Sequence, residues 1–132
     1  MIPKFRAWNT FHNKWVKHFY ITENGLIYNM EQPHMDLIGA VPIEQSGLVV
    51  MQSTGLFDKN GKEIFGGDVI RVNYTDDDSP WTDAIIWSPK DCAWYLKSNK
   101  ELLGFAMDEP DIIVEVIGNI YENPELVEVN ND

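Results

Sequence analysis

A chain of 132 residues with 44% hydrophobic residues and five Trp fits one small folded domain with appendages, and excludes intrinsic disorder. A single Cys excludes an intrachain disulfide framework, and apolar runs as short as Leu48 to Met51 exclude a membrane-spanning helix, so a reducing cytosol is the expected compartment. The formal net charge of -11 argues for a solubilising surface and against general phosphate binding.

The first segment, Lys4-Phe-Arg-Ala-Trp8, alternates charged and apolar side chains and predicts a strand. Residues 15 to 22 and 26 to 30 predict a hairpin around Asn24-Gly25, with Phe19, Ile21, Ile27 and Tyr28 as its apolar surface. Residues 31 to 47 carry Pro33, Gly39, Pro42 and Gly47 and read as an irregular connection. From Leu48 the β pattern is dense: a strand to Thr54, a tight turn at Asp58 to Lys62 around Asn60-Gly61, and a strand over Asp68 to Tyr74. That last strand puts Ile70, Val72 and Tyr74 on one face.

Asp76 to Pro80 reads as a solvated loop, followed by strands at Ala84 to Trp87 and Ala93 to Lys97. Ser98-Asn-Lys-Glu101 fits a capping box, which predicts one helical turn that stops at Gly104. Residues 111 to 121 are apolar on both faces, the pattern of a strand that is central or lies in an interface. Asn123-Pro124 predicts a last helical turn.

The expected fold is therefore mainly β: an N-terminal β-hairpin layer over residues 1–45, an SH3-like small barrel over 46–126 with one or two short helical turns, and a frayed acidic tail over 127–132.

Chemistry is sparse. His12, His18, His34 and Cys92 have no metal-ligand spacing, and the Asp76–Asp78 run and the Asp58–Gly61 segment lack the remaining positions of a calcium loop. Cys92 has no neighbouring His or Lys to activate it and reads as a buried thiol. No nucleotide-binding or serine-hydrolase motif occurs. The expectation is a protein without enzymatic activity, cofactor or metal.

Charge is divided along the chain: Lys4, Arg6, Lys14 and Lys17 fall in the first 20 residues with no acid, whereas nine acids and no Lys or Arg follow from Glu101. Oppositely charged ends and the two-sided last strand predict a homo-oligomer. The candidate interaction surface is Lys4, Arg6, Trp8, Lys14, Trp15, Lys17 and Trp81, with Trp87 and Trp94 as further aromatic anchors.

Three ordered blocks carry a family resemblance: Lys4-Phe-Arg-Ala-Trp8, Gln52 through Val72, and Val116-Ile-Gly-Asn-Ile-Tyr-Glu-Asn-Pro-Glu-Leu126. Together they resemble the YopX family of phage and prophage proteins. The resemblance implies a small, mainly β protein of bacteriophage origin, of unassigned biochemical role, that assembles into oligomers; it supplies no catalytic residues. Expected partners are thus a protein target first, with nucleic acid held by the basic-aromatic N-terminal segment as the alternative. An acidic DNA mimic that blocks a host protein is a third reading.

Overall fold

The computed structural model describes residues 4–31 and 39–128, with the backbone alone for residues 127 and 128. His34 and the last four residues of the expected tail lie outside the described residues. The chain forms two compact units, Lys4–Gln52 and residues 53 to 128, divided within a strand. Both are mainly β, as the residue pattern requires.

The first unit contains β1 (Phe5–Asn9), β2 (Lys14–Val16), β3 (Phe19–Ile21), β4 (Leu26–Asn29), β5 (Val41–Pro42), a 3-10 turn at Ile43–Gln45, and the start of β6 (Leu48–Phe57). Strand β1 lies antiparallel between β2 and β6, with Ala7 facing Val16 on one side and Val50 on the other. Strand β4 pairs with β3 and β5. Alternation puts Ala7 and Val16 on the buried face, where they meet Ile27 and Leu48.

The second unit contains the end of β6, then β7 (Glu63–Phe65), β8 (Asp68–Tyr74), β9 (Asp77–Ser88), β10 (Ala93–Leu96), α1 (Leu103–Met107), β11 (Ile112–Asn119) and α2 (Glu125–Glu128). Its main sheet is antiparallel in the order β10-β9-β8-β11. Ile70, Val72, Ile85, Leu96, Val114 and Val116 share one buried face, closed by Leu103 and Ala106 of α1. Each such side chain removes about 1.5–3 kcal/mol worth of apolar surface from water.

The same turn is built twice. In Thr22-Glu-Asn-Gly25-Leu26 the Gly25 amide donates to the Thr22 carbonyl (3.0 Å) and the Thr22 amide to the Leu26 carbonyl (2.8 Å). In Asp58-Lys-Asn-Gly61-Lys62 the equivalent bonds are 3.0 and 2.8 Å. Gly25 and Gly61 have φ of 82° and 79°, a left-handed conformation that costs a side-chain-bearing residue roughly 1 kcal/mol or more.

Four expectations are corrected. Among the described residues the strands form open antiparallel sheets and no closed barrel. The two-sided strand β11 is not central: among the described residues it pairs only with β8, and its outer edge is covered by the Asp58 turn. There the Lys59 amide donates to the Val114 carbonyl (3.0 Å), and the Val116 amide donates to Asp58 Oδ2 (2.9 Å). A turn therefore satisfies edge groups that a further strand would otherwise claim.

The stretch read as a solvated loop is the start of β9, because Asp77 pairs with Tyr74. Pro80, which has no N–H to donate, falls in the register shift between Val72 and Tyr74 where none is required. The capping box does not form either. The Ser98 amide and hydroxyl donate to Asp83 (2.9 and 2.5 Å), and α1 begins at Leu103 with no side-chain cap, so Gly104 lies inside the helix.

Among the described residues no helix is long and apolar enough to cross a membrane.

Candidate interaction surfaces

Antiparallel pairing of β1 with β2 sets Trp8 directly opposite Trp15. The two rings meet edge to face at 5.0 Å and 76°, and the Arg6 guanidinium lies 4.8 Å over the Trp15 ring. The structure thus brings together three of the seven anticipated surface residues. Trp8, however, is 6% exposed and serves packing. Trp15 is half-buried under Arg6, so its face is occupied by a cation rather than open to a base.

Lys4, Lys14 and Lys17 are exposed. Beside Lys17, the Glu31 carboxylate accepts the Lys17 and His18 amides at 2.6 and 2.8 Å, which places an acid next to the basic segment.

Trp81 belongs to the other unit and is half-buried. Its indole N–H donates to Asp83 Oδ2 (3.3 Å), and its ring packs on Tyr74 at 6.0 Å and against the core. Cys92 is exposed, correcting the buried-thiol expectation. It occupies a left-handed position (φ 49°) in the turn between β9 and β10, where its thiol donates to the Pro89 carbonyl (3.5 Å).

A different aromatic group in the second unit is open. The register of β9 and β10 sets Trp87 opposite Trp94, and Ile85 opposite Leu96 on the same face by alternation. The core face therefore runs outward past Ile85 and Leu96 onto a tryptophan pair, with centroids 4.9 Å apart and planes at 61°. Trp87 is 46% exposed, while Trp94 is half-buried against the core.

Helix α1 turns Leu103 and Ala106 inward and leaves Phe105 69% exposed. Leu56, Ala93, Trp94, Leu102, Leu103 and Phe105 line a groove of about 490 Å³, with Asp108 at its margin. Such a surface takes up an apolar side chain and has a carboxylate beside it to receive a cation.

The groove depends on a glycine. A Cβ on Gly66 would overlap the Trp94 six-membered ring, which is held by the core and has little room to retreat. Gly66→Ala is expected to displace Trp94 and cost about 1–3 kcal/mol, the usual range for overpacking. Near-ultraviolet circular dichroism of the tryptophans and a urea titration check this; an unaltered spectrum and midpoint would count against the close approach.

The sequence carried part of this surface. Trp87 and Trp94 flank the Ser88 to Asp91 turn, so pairing outward from that turn places them near one another. Phe105 was hidden, since Gly104 reads as a helix stop.

No converging group of three His, Cys, Asp or Glu suited to a metal occurs among the described residues. The Tyr74 hydroxyl donates to Glu109 Oε2 at 2.5 Å.

Two solved structures share the fold. Protein EF1440 from Enterococcus faecalis is 26% identical, with a TM-score of 0.65 over 96% of this chain and 99% of that one. Protein yopX from Bacillus subtilis is 20% identical, with a TM-score of 0.62 over 92% of this chain and 95% of that one. No curated protein gave a match. The family model described as YopX protein matches residues 4–128, nearly the whole chain, and agrees with the three blocks that carry the resemblance: the chain belongs to the YopX family.

Proposed function

We propose that this YopX-family chain is a phage or prophage accessory protein that acts by holding a protein partner and not by catalysis. The observation that carries the reading is the Trp87, Trp94 and Phe105 surface over the apolar groove of the second unit. Exposed aromatic rings beside an apolar groove are costly in water and are favoured anchors in interfaces.

The partner segment that fits is an apolar side chain flanked by basic residues. Its charge follows from the net charge of -11, from Asp108 at the groove and from the lack of any Lys or Arg after Lys100. Assembly of identical copies belongs to the same proposal, supported by the opposite charges of the two ends of the chain. A monomeric mass by light scattering at micromolar concentration would overturn that part.

The test is affinity purification of the tagged chain from cells carrying the phage, with and without nuclease, beside a Phe105→Ala bait. The expected result is a nuclease-resistant protein that is retained less at high salt and lost from the Phe105→Ala bait. Partners that disappear on nuclease treatment would transfer the function to nucleic-acid association, and a partner indifferent to Phe105 would overturn the groove as its site.

A further inference from the structure

We propose that a hollow in the first unit binds a free amino acid with an aliphatic side chain, whose carboxylate is received by Asn9, Asn29 and Lys14 and whose ammonium is received by Glu31. This site goes beyond the docking reading and is separate from the groove, which belongs to the second unit.

The hollow lies where three segments meet beside the first core. The turn after β1 supplies Phe11, the β1–β2 pair supplies Asn9, Lys14 and Val16, and the end of β4 supplies Asn29 and the following Glu31. The enclosed volume of about 440 Å³ is in the range of small-molecule sites. Antiparallel register sets Asn9 directly opposite Lys14, and alternation puts Val16 on the same face. The amide and the ammonium therefore share a face with the buried, apolar Val16.

Asn9 is the buried anchor of the site. It is 7% exposed, and its Oδ1 accepts the Phe11 and His12 amides at 2.9 and 3.1 Å. With Oδ1 committed to those amides, the planar group presents Nδ2 to the hollow, and among the described residues Nδ2 has no acceptor. A donor left unmade on a buried side chain is destabilising, and a ligand oxygen relieves it. Asn29 repeats the arrangement. Its Oδ1 accepts the Glu31 amide (2.9 Å), and its Nδ2 likewise has no acceptor among the described residues.

The two charges of the hollow are placed but not paired. Glu31 Oε2 accepts the Lys17 and His18 amides at 2.6 and 2.8 Å, which fixes the carboxylate and leaves Oε1 open. Among the described residues Lys14 and Glu31 form no ion pair with one another. Two amide donors and an ammonium thus line one hollow with one carboxylate. A simple anion would meet Glu31 and a simple cation would meet Lys14, whereas a molecule carrying both charges satisfies each group. The Phe11 ring, seated against Gly47, and Val16 are the apolar contacts for its side chain.

Titration of the full chain with L-leucine, followed by NMR on the Asn9 and Asn29 side-chain amides, tests the site. Isocaproate is leucine without its ammonium, and isoamylamine is leucine without its carboxylate. Saturable shifts of both amides are expected with leucine, and an affinity at least about tenfold weaker for either relative. Asn9→Asp keeps the acceptor for the Phe11 and His12 amides but exchanges the open donor for a carboxylate oxygen. Lys14→Met keeps the exposed stem without its charge. Each variant is expected to preserve the backbone spectrum of β1 and β2 and to weaken leucine binding at least about tenfold, the scale of a hydrogen bond to a charged group.

No shift with leucine, equal binding of either relative, or unchanged affinity in either variant overturns the site. None of these outcomes bears on the docking reading, which the Phe105→Ala bait decides separately.

Discussion

Asp58→Ala is expected to lower the stability of the second unit by about 2–4 kcal/mol, a large part of what a small unit possesses. Asp58 is 7% exposed, and its carboxylate accepts three backbone amides: Asn60 and Lys62 on Oδ1 at 2.8 and 2.9 Å, and Val116 on Oδ2 at 2.9 Å. The first two close the turn; the third fastens it to the edge of β11. Alanine leaves the buried Val116 amide without its acceptor and uncovers an apolar strand edge that carries Ile117, 36% exposed.

The sign of the pH dependence follows from the same bonds. Burial pushes the Asp58 carboxyl up, but the Val116, Lys62 and Asn60 amides and the Lys62 charge outweigh it and hold the group below its ordinary value. Its contribution is therefore present above the ordinary carboxylate range and is lost as pH falls through the lowered value. The gap between wild type and Asp58→Ala, measured by urea unfolding with exchange at the Val116 amide, should narrow in acid. Asp58→Asn retains an acceptor for the turn but sets an NH₂ group against the Val116 N–H, so a smaller loss with no such acid dependence is expected. An Asp58→Ala midpoint equal to wild type would refute the edge-covering role.

Features encoded within a few residues were legible in the sequence. Asn24-Gly25 and Asn60-Gly61 announce their turns because each needs one left-handed residue, and the alternation in Asp68 to Tyr74 announces β8. What failed depends on distant partners. The two-sided apolar pattern of β11 resembles a central strand because nothing nearby reveals that Asp58, 58 residues earlier, covers its edge. Ser98 looks like a helix cap until Asp83, 15 residues back, is seen to take both its amide and its hydroxyl.

The interaction surface was half legible for the same reason. Composition identifies five tryptophans as anchors but not which are covered. Cross-strand pairing buries Trp8 and exposes Trp87, and the displaced start of α1 turns Phe105 outward. Charge was a weaker guide still, because the basic segment carries its own cation over Trp15 and receives Glu31 beside it.

Phe105→Ala and Trp87→Ala are each expected to weaken the partner recovered by the nuclease-resistant purification about 30-fold, equivalent to about 2 kcal/mol at an interface anchor. Phe105 is 69% exposed, so its truncation should leave stability within about 0.5 kcal/mol of wild type and the loss is read as binding. Trp87, 46% exposed and packed edge to face on Trp94, should also lose about 0.5–1.5 kcal/mol of stability with that ring contact, so its binding loss is read beside a urea titration. Trp94→Ala is a poorer test, since Trp94 also packs on the core and its removal combines unfolding with lost contact. Phe11→Ala is the control: Phe11 is 75% exposed in the first unit, as hydrophobic as Phe105 and as accessible. Non-specific capture by any exposed ring would make the two phenylalanine variants equivalent. A docking groove makes them differ, because Phe105 stands beside the apolar side chains Leu56, Trp94, Leu102 and Leu103, whereas Phe11 lines a hollow with the polar side chains Asn9, His12, Lys14, Asn29 and Glu31; isothermal titration of the purified pair decides between the two.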